Sequence, residues 1–206
     1  MTKKYNNIAL LLNGEFPSSS LLVKKIKDSD FIIAVDGAAN KLDQFNIKPN
    51  VIIGDFDSIN KLDIKSAKYI NTPDQSKTDF KKSLEWIVKQ KLTEVNIFGL
   101  SGKSDDHFLG NLYTFNEFSH LLKLKAFTDT SIITPCIGKN KFNSFKNQKV
   151  SLFVLENSSI VTSINLEFVL KNFELFPTND AIRNISMGDT FCIESSSKIL
   201  VFQSVN

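Results

Sequence analysis

Val51-Ile52-Ile53-Gly54-Asp55-Phe56-Asp57-Ser58 is the stretch from which the rest of the chain is read. A β-branched run ends in a glycine, and two carboxylates follow, one residue apart, with a hydroxyl after the second. As a buried strand, the run delivers Asp55 and Asp57 at its carboxyl end, the edge where open α/β sheets bind ligands. In an extended chain, residues i and i+2 point to one side, so the pair would share a face. Two close like charges need a cation or strong donors to stay ionised together. A hard, oxygen-seeking ion such as Mg²⁺ suits them, particularly with substrate phosphates completing its shell. The competing reading is a solvated turn, because Asp, Ser and Gly are ordinary turn formers.

The flanks favour a sheet. Upstream, Ile8 to Leu12 reads as a buried strand closed by Asn13-Gly14. Ser18-Ser19-Ser20 can cap a helix carrying Leu21, Leu22, Lys25 and Ile26. Phe31 to Val35 is a second buried strand, followed at once by Asp36-Gly37. Ala38 to Phe45 is a short helix with Leu42 and Phe45 inward. Downstream, Lys68-Tyr69-Ile70 is a short strand ended by Asn71-Thr72-Pro73-Asp74. A helix follows with Phe80, Leu84 and Ile87 on one face. Thr78 can cap it, and Asp79 suits the positive end of its dipole. Val95 to Phe98 is a strand and Gly99 to Ser104 a loop. Phe108, Leu112, Phe115 and Leu122 then recur at helical spacing, and Leu124 to Phe127 closes this half as a strand. Strand-sized runs alternating with helical patterns predict βαβ units and a parallel sheet.

After about Asp129 the texture changes. Val150 to Leu155, Ile160 to Ile164, Leu166 to Leu175, Thr190 to Glu194 and Ile199 to Phe202 are strand-like, separated by Asn, Ser, Gly and Pro. This predicts an antiparallel all-β half, a small sandwich or roll. The fold class is therefore α/β: a Rossmann-like parallel sheet with helices over residues 1–128, then an all-β sandwich or roll over 129–206.

Composition bounds the function. The 206 residues are 42% hydrophobic and 23% charged, as in a globular protein with a real core. A net charge of +3 is too mild to argue for a nucleic-acid partner, and the lysines are scattered. The 2 cysteines, Cys136 and Cys192, lie far apart without metal-ligand spacing and suggest a reducing compartment. The apolar run Ile8 to Leu12 is too short for a signal peptide core or a membrane span. The expectation is a cytoplasmic protein without a membrane partner.

Polar clusters fall at the carboxyl ends of the expected strands: Asp36-Gly37, Gly54 to Ser58, Asp74 with Thr78-Asp79, and Gly102-Lys103-Ser104-Asp105-Asp106-His107. Loops on one sheet edge that all carry Asp could form an acidic bowl, neutralised by divalent metal and a polyphosphate. Gly102-Lys103-Ser104 is not a P-loop, because that motif needs a glycine at position 97, which is Ile97. Lys103 could still meet a phosphate as a point charge, or be a surface lysine. His107, beside Asp106, could be a general acid/base or a helix-start residue with a local bond. His120 and Trp86 read as structural.

In this order and spacing, Asp36-Gly37, Gly54-Asp55-Phe56-Asp57-Ser58, Asp74-Gln75 with Thr78-Asp79 and Lys82, and Asp106-His107-Phe108-Leu109-Gly110-Asn111 resemble the thiamine pyrophosphokinase family. Its pattern runs Asp-Gly-(Gly/Ala)-Ala-Asn, Gly-Asp-(Phe/Leu)-Asp-Ser, Asp-Gln-x-x-Thr-Asp-x-x-Lys and Gly-x-x-Gly-(Gly/Lys)-Arg-x-Asp-His-x-x-x-Asn. Each block alone is weak; jointly they are specific. The chain departs from the pattern at Ser104, where the family has arginine, and at Arg183-Asn184, where it usually has Ser-Asn.

The resemblance implies transfer of pyrophosphate from ATP to the primary hydroxyl of thiamine, with AMP leaving. It implies Mg²⁺ as cofactor and ATP as co-substrate. Asp55, Asp57, Asp79 and Asp106 would be the catalytic, metal-holding carboxylates. Asp36, Gly37, Ser58, Asp74, Gln75, Thr78, Lys82, Gly102, Lys103, His107 and Asn111 would surround the nucleotide and its phosphates. Asn184 would lie near thiamine. The first half would be the nucleotide-binding catalytic domain, the second a thiamine-binding and dimerisation domain of a homodimer. Three other readings stay open: a pyrophosphokinase for another primary alcohol, such as a hydroxymethyl pterin; an inactive thiamine- or nucleotide-binding module; and a Mg²⁺-dependent phosphatase, which would release phosphate without an acceptor.

Overall fold

The computed structural model describes residues 5–59, 66–178 and 181–205. It divides into two units between Asp129 and Thr130.

The first unit is a parallel sheet with helical crossovers. Its strands are β1 (Ile8–Leu11), β2 (Phe31–Val35), β3 (Val51–Gly54), β4 (Lys68–Asn71), β5 (Glu94–Phe98) and β6 (Lys123–Phe127). They lie in the order β6-β5-β1-β2-β3-β4, every described pair parallel. The strand order reverses at β1: the chain runs from β1 through β2 and β3 to β4, then returns to lay β5 against the other side of β1. Such a reversal opens a crevice at the carboxyl ends of the two central strands, where this class of sheet takes its ligands. The central strands are β-branched and apolar because both faces are covered. Ile8, Leu10, Ile33, Ile52, Ile53 and Phe98 are fully buried.

The helices are α1 (Ser20–Lys27), α2 (Ala38–Gln44), α3 (Asp79–Lys89) and α4 (Asp105–Phe118). On α3, Phe80, Leu84 and Ile87 are buried on one stripe. Each such side chain contributes roughly 1.5–3 kcal/mol by leaving water. The Thr78 hydroxyl caps this helix by accepting from Lys81 N at 3.3 Å.

Several local expectations need correction. No serine side chain caps α1. The N–H groups of Ser18 and Ser19, just before the helix, instead donate to the Asp129 carboxylate at 2.9–3.2 Å. A partner more than a hundred residues away is invisible to a local capping rule. Phe45 is not inward but 38% exposed, stacked on Phe16 at 4.3 Å. The helical pattern assigned through Leu122 ends at Phe118, and Leu122 is buried in the turn beyond it.

The second unit is antiparallel. Its strands are β7 (Ser131–Asn143), β8 (Lys149–Phe153), β9 (Ser159–Ile164), β10 (Phe173–Leu175), β11 (Ala181–Ile185) and β12 (Thr190–Ser204). β12 pairs with β7 along most of its length, with β9 near its start and with β8 near its end. β8 carries β11, and β9 carries β10. A register shift between Ser195 and Ile199 lets one strand serve both arms. The two expected strands Thr190–Glu194 and Ile199–Phe202 are therefore one. The arms enclose a core of Cys136, Phe142, Val150, Leu152, Val161, Leu175, Phe191, Ile193, Ile199 and Val201. Of the strand expected over Leu166–Leu175, only Phe173–Leu175 forms, while Leu166 makes an isolated bridge to Ser186. Among the described residues, no helix is long and apolar enough to cross a membrane.

Candidate active site

Three carboxylates meet at the carboxyl edge of the parallel sheet. Asp36 follows β2, and Asp55 and Asp57 follow β3. One oxygen from each lies within 4.8 Å of the others. Asp36 is 5% exposed, and its Oδ1 is buried with no hydrogen-bond partner. A buried carboxylate oxygen without a donor, facing two further carboxylates, is a configuration that a cation relieves. An all-oxygen donor set of this kind fits Mg²⁺.

The backbone makes this meeting possible. Asp36 N donates to Ile53 O at 2.9 Å, extending the β2–β3 ladder past the end of β2. Gly54 then passes so close that a Cβ there would lie 2.9 Å from Asp36 Cβ. The chain does not stay extended through the pair: Phe56 has φ 70°. Asp55 and Asp57 therefore converge through a turn rather than through strand alternation, and Asp57 N reaches back to Asp55 Oδ1 at 3.4 Å.

Neighbouring groups donate to these acids. Gln75 Nε2 donates to Asp55 Oδ2 at 3.0 Å. That bond, the Asp57 N–H and the Lys82 charge hold Asp55 below the usual carboxylate range, against the opposing effect of burial. The Ser58 hydroxyl donates to Asp57 Oδ1 at 2.8 Å. Asp74 is held low by the hydroxyl and N–H of Ser76, bound at 2.6 and 2.9 Å.

Asp79 and Asp106 lie outside the three-carboxylate set. Each sits in the first turn of a helix that leaves this sheet edge, α3 and α4. Asp79 Oδ1 pairs with Lys82 Nζ at 2.6 Å. Lys82 also donates to Thr72 O at 2.8 Å and Asp74 O at 3.0 Å, so all three of its donors are engaged and the ammonium braces the loop before α3. Ser104, at the family's arginine position, hydrogen-bonds the Asp106 carboxylate. With the His107 N–H at 2.8 Å, it holds Asp106 low. The His107 residue is exposed. Asn111 Nδ2 donates to Leu100 O at 2.9 Å, tying α4 to the loop after β5.

At the strand-order reversal, the loops after β1 and β5 interlock. Leu12 N donates to Phe98 O at 2.8 Å and Glu15 N to Ser101 O at 2.7 Å. A Cβ on Gly14 would sit 2.1 Å from Gly99 O, so only glycine fits. Lys103, with φ 69° after Gly102 with φ 85°, donates to Asn13 Oδ1 at 2.7 Å. Lys41 Nζ, from α2, donates to Gly14 O at 2.8 Å. Asn13, Gly14 and Lys41 were missed as site residues. The rule that picked out the other clusters, polar residues after a buried strand, also applies to Asn13-Gly14. Nothing local marks Lys41, which reaches the edge from the next helix.

Asn184 is 6% exposed, in the second unit. Its Oδ1 accepts from Phe168 N at 3.0 Å and Ile185 N at 2.8 Å, and its Nδ2 donates to Phe168 O at 2.7 Å. The amide clamps the chain around Phe168, which is itself 67% exposed.

A parallel sheet with a carboxylate cluster at the carboxyl ends of β2 and β3, followed by an antiparallel β unit, defines a two-part α/β protein with a candidate cation site on its ligand edge. The comparisons narrow the class. Residues 22–127 match the thiamin pyrophosphokinase catalytic domain, and residues 131–202 match the thiamin pyrophosphokinase substrate-binding domain. The chain belongs to the thiamine pyrophosphokinase family. It is 29% identical over 220 residues to thiamin pyrophosphokinase 1 of Caenorhabditis elegans, covering 97% of this chain and 90% of that one. It is 27% identical over 175 residues to the thiamine pyrophosphokinase of Bacillus subtilis, covering 79% and 76%. The crystal structure of the Bacillus subtilis protein superposes with a TM-score of 0.85 at 18% identity, covering 98% of this chain and all of that one, a likeness of fold.

Proposed function

We propose that this chain is a thiamine pyrophosphokinase, transferring the terminal pyrophosphoryl group of ATP to the hydroxyl of thiamine. The thiamine oxygen bonds to the β-phosphorus and the bond from that phosphorus to the α–β bridging oxygen breaks. AMP leaves with that oxygen, and the hydroxyl proton is released. The observation that carries the reading is the convergence of Asp36, Asp55 and Asp57 around a buried, unpartnered carboxylate oxygen at the sheet's ligand edge.

These three residues are the proposed Mg²⁺ holders. A bound Mg²⁺ would shield the charge of the triphosphate and favour in-line attack. Asp79 and Asp106, each opening a helix at the same edge, are retained as catalytic carboxylates. Gln75 and Ser58 orient the acids, Lys82 braces the loop that carries Asp74, and Asn111 fixes the loop that presents Gly102 and Lys103. Gly37, Thr78 and His107 remain assigned to the nucleotide side. The second unit is proposed to bind thiamine and to join two copies. In support, it leaves Phe168, Val169, Ile182 and Met187 exposed, and α4 leaves Leu109 and Tyr113 exposed. The unpaired cysteines favour a cytoplasmic setting.

The test is incubation with ATP and Mg²⁺, with and without thiamine. The expected result is AMP formed in step with thiamine diphosphate. AMP without thiamine diphosphate, or AMP dependent on a hydroxymethyl pterin instead, would overturn the assignment. Asp57→Asn is expected to lower turnover by about 10²-fold or more with the fold retained.

A further inference from the structure

The two lysines at the strand-order reversal are anchored differently from the lysines that form salt bridges among the described residues. Among the described residues, the lysines at 24, 77, 81, 82 and 123 each pair with a carboxylate. Lys41 and Lys103 do not. Their ammoniums are anchored on neutral oxygens of consecutive residues, Gly14 O at 2.8 Å and Asn13 Oδ1 at 2.7 Å. Each anchor takes one of three ammonium donors and supplies no counter-charge. Lys103 feels this: burial and the nearby Lys41 charge push it below its ordinary value, and Asp36 only partly offsets them. Folding thus brings two like charges close together, one on α2 and one on the loop after β5, and the carboxyl-edge crevice is the place where this sheet class takes anions and nucleotides.

The surroundings identify the ligand chemistry. The Asn13 amide lies against Gly37, the residue after Asp36, so the cation pair flanks the three-carboxylate set. A metal-binding acidic cluster beside two unpaired ammoniums suits a polyphosphate, whose oxygens can meet the ion on one side and the lysines on the other.

We propose that Lys41, from α2, is a phosphate-binding residue that works with Lys103 as a two-lysine clamp on the polyphosphate, anchored on Asn13 and Gly14 and standing where the family's arginine is replaced by Ser104. The proposal rests on the pyrophosphokinase reading, but its test does not require turnover. Ser104 is engaged with Asp106 and offers no charge. Two point charges, one from α2 and one from the loop after β5, replace the missing guanidinium fork, and Lys41 supplies the one that the motif does not encode.

The test is equilibrium binding of inorganic tripolyphosphate and of adenosine, each with Mg²⁺, to the wild-type chain, Lys41→Gln and Lys41→Arg, with circular dichroism to confirm folding. Glutamine removes the charge but keeps a donor for Gly14 O. The expected result is a loss of roughly tenfold or more in tripolyphosphate affinity for Lys41→Gln. Adenosine affinity should be unchanged, the loss should shrink at high salt, and Lys41→Arg should bind tripolyphosphate like the wild type. Unchanged tripolyphosphate binding in Lys41→Gln would overturn the clamp, and so would an equal loss for both ligands, which marks a structural lysine. If Lys41→Gln does not fold, Lys41→Arg and the wild type decide by salt: binding of tripolyphosphate that is insensitive to ionic strength overturns it. Wild-type protein that binds tripolyphosphate as expected but forms no thiamine diphosphate would refute the enzymatic reading while leaving the clamp in place.

Discussion

Gly54 and Asp36 approach so closely that a single added carbon would collide: a Cβ on Gly54 would lie 2.9 Å from Asp36 Cβ. β3 can therefore deliver Asp55 beside Asp36 only if its last residue has no side chain. Gly54→Ala is expected to fold, at an overpacking cost of about 1–3 kcal/mol, with Asp36 displaced from the pair. Turnover should fall by about 10²-fold, and Mg²⁺ should no longer raise the melting temperature. Wild-type turnover in Gly54→Ala would show that the three acids need not meet.

Asp36 itself sets function against stability. Its Oδ1 is buried without a donor, close to two other carboxylates. Without metal, these charges oppose one another and the fold. Asp36→Asn keeps the shape, removes one charge and adds a donor. In EDTA, the variant is expected to be more stable than the wild type by about 1 kcal/mol. With Mg²⁺ the order should reverse, because only the wild type gains stability by binding the ion. Paired thermal melts with and without Mg²⁺ check both signs. A less stable variant in EDTA would mean that Asp36 has a structural partner.

Gln75 is the principal hydrogen-bond donor to Asp55. Its amide is the largest influence holding Asp55 below the ordinary carboxylate range, ahead of the Asp57 N–H and Lys82. A carboxylate with a lowered folded value contributes stability above its unfolded value and loses it as pH falls through the folded one. Gln75→Leu removes the main donor, so the Asp55 value should rise and the loss should begin at higher pH. The acid limb of kcat/KM and the NMR titration of the Asp55 carboxyl should move up together. A limb that stays in place would assign it to another group.

Much of this architecture could be read along the chain, and the failures share a physical origin. The strand at Val51–Gly54 and the stripe of Phe80, Leu84 and Ile87 are local patterns, and period and composition carry them. The bonds from Ser18 and Ser19 to Asp129 and the reach of Lys41 to Gly14 join residues distant in sequence, which no window contains. The pairing of Asp55 with Asp57 was read from an extended strand, yet Phe56 adopts φ 70° and the acids meet through a turn. β12 was split because its bulge interrupts the alternation with Ser195-Ser196-Ser197, although its ladder with β7 resumes at Ile199. The family resemblance puts Asp36 on the nucleotide side, and the fold also sets it beside Asp55 and Asp57. Its place among the carboxylates depends on the close passage of Gly54.

Asn184 makes the last prediction, because its side chain has a complete set of partners within the protein. Two backbone N–H groups donate to its Oδ1, and its Nδ2 donates to Phe168 O. Arg183 beside it has φ 61°, a left-handed turn that aims the amide at Phe168. With its amide so engaged, Asn184 holds the exposed chain at Phe168 in shape, and an effect of Asn184 on thiamine binding would pass through that segment. Asn184→Ala leaves two N–H groups and a carbonyl without this partner and is expected to cost about 2–3 kcal/mol of stability. The amide signals of Phe168 and Val169 should broaden or shift, and any rise in the KM for thiamine should accompany that loosening. Asn184→Asp keeps the acceptor but loses the donor, so it should recover part of the stability. If Asn184→Ala kept full stability and an unchanged Phe168 amide while the KM for thiamine rose, Asn184 would be a direct ligand and not a clamp.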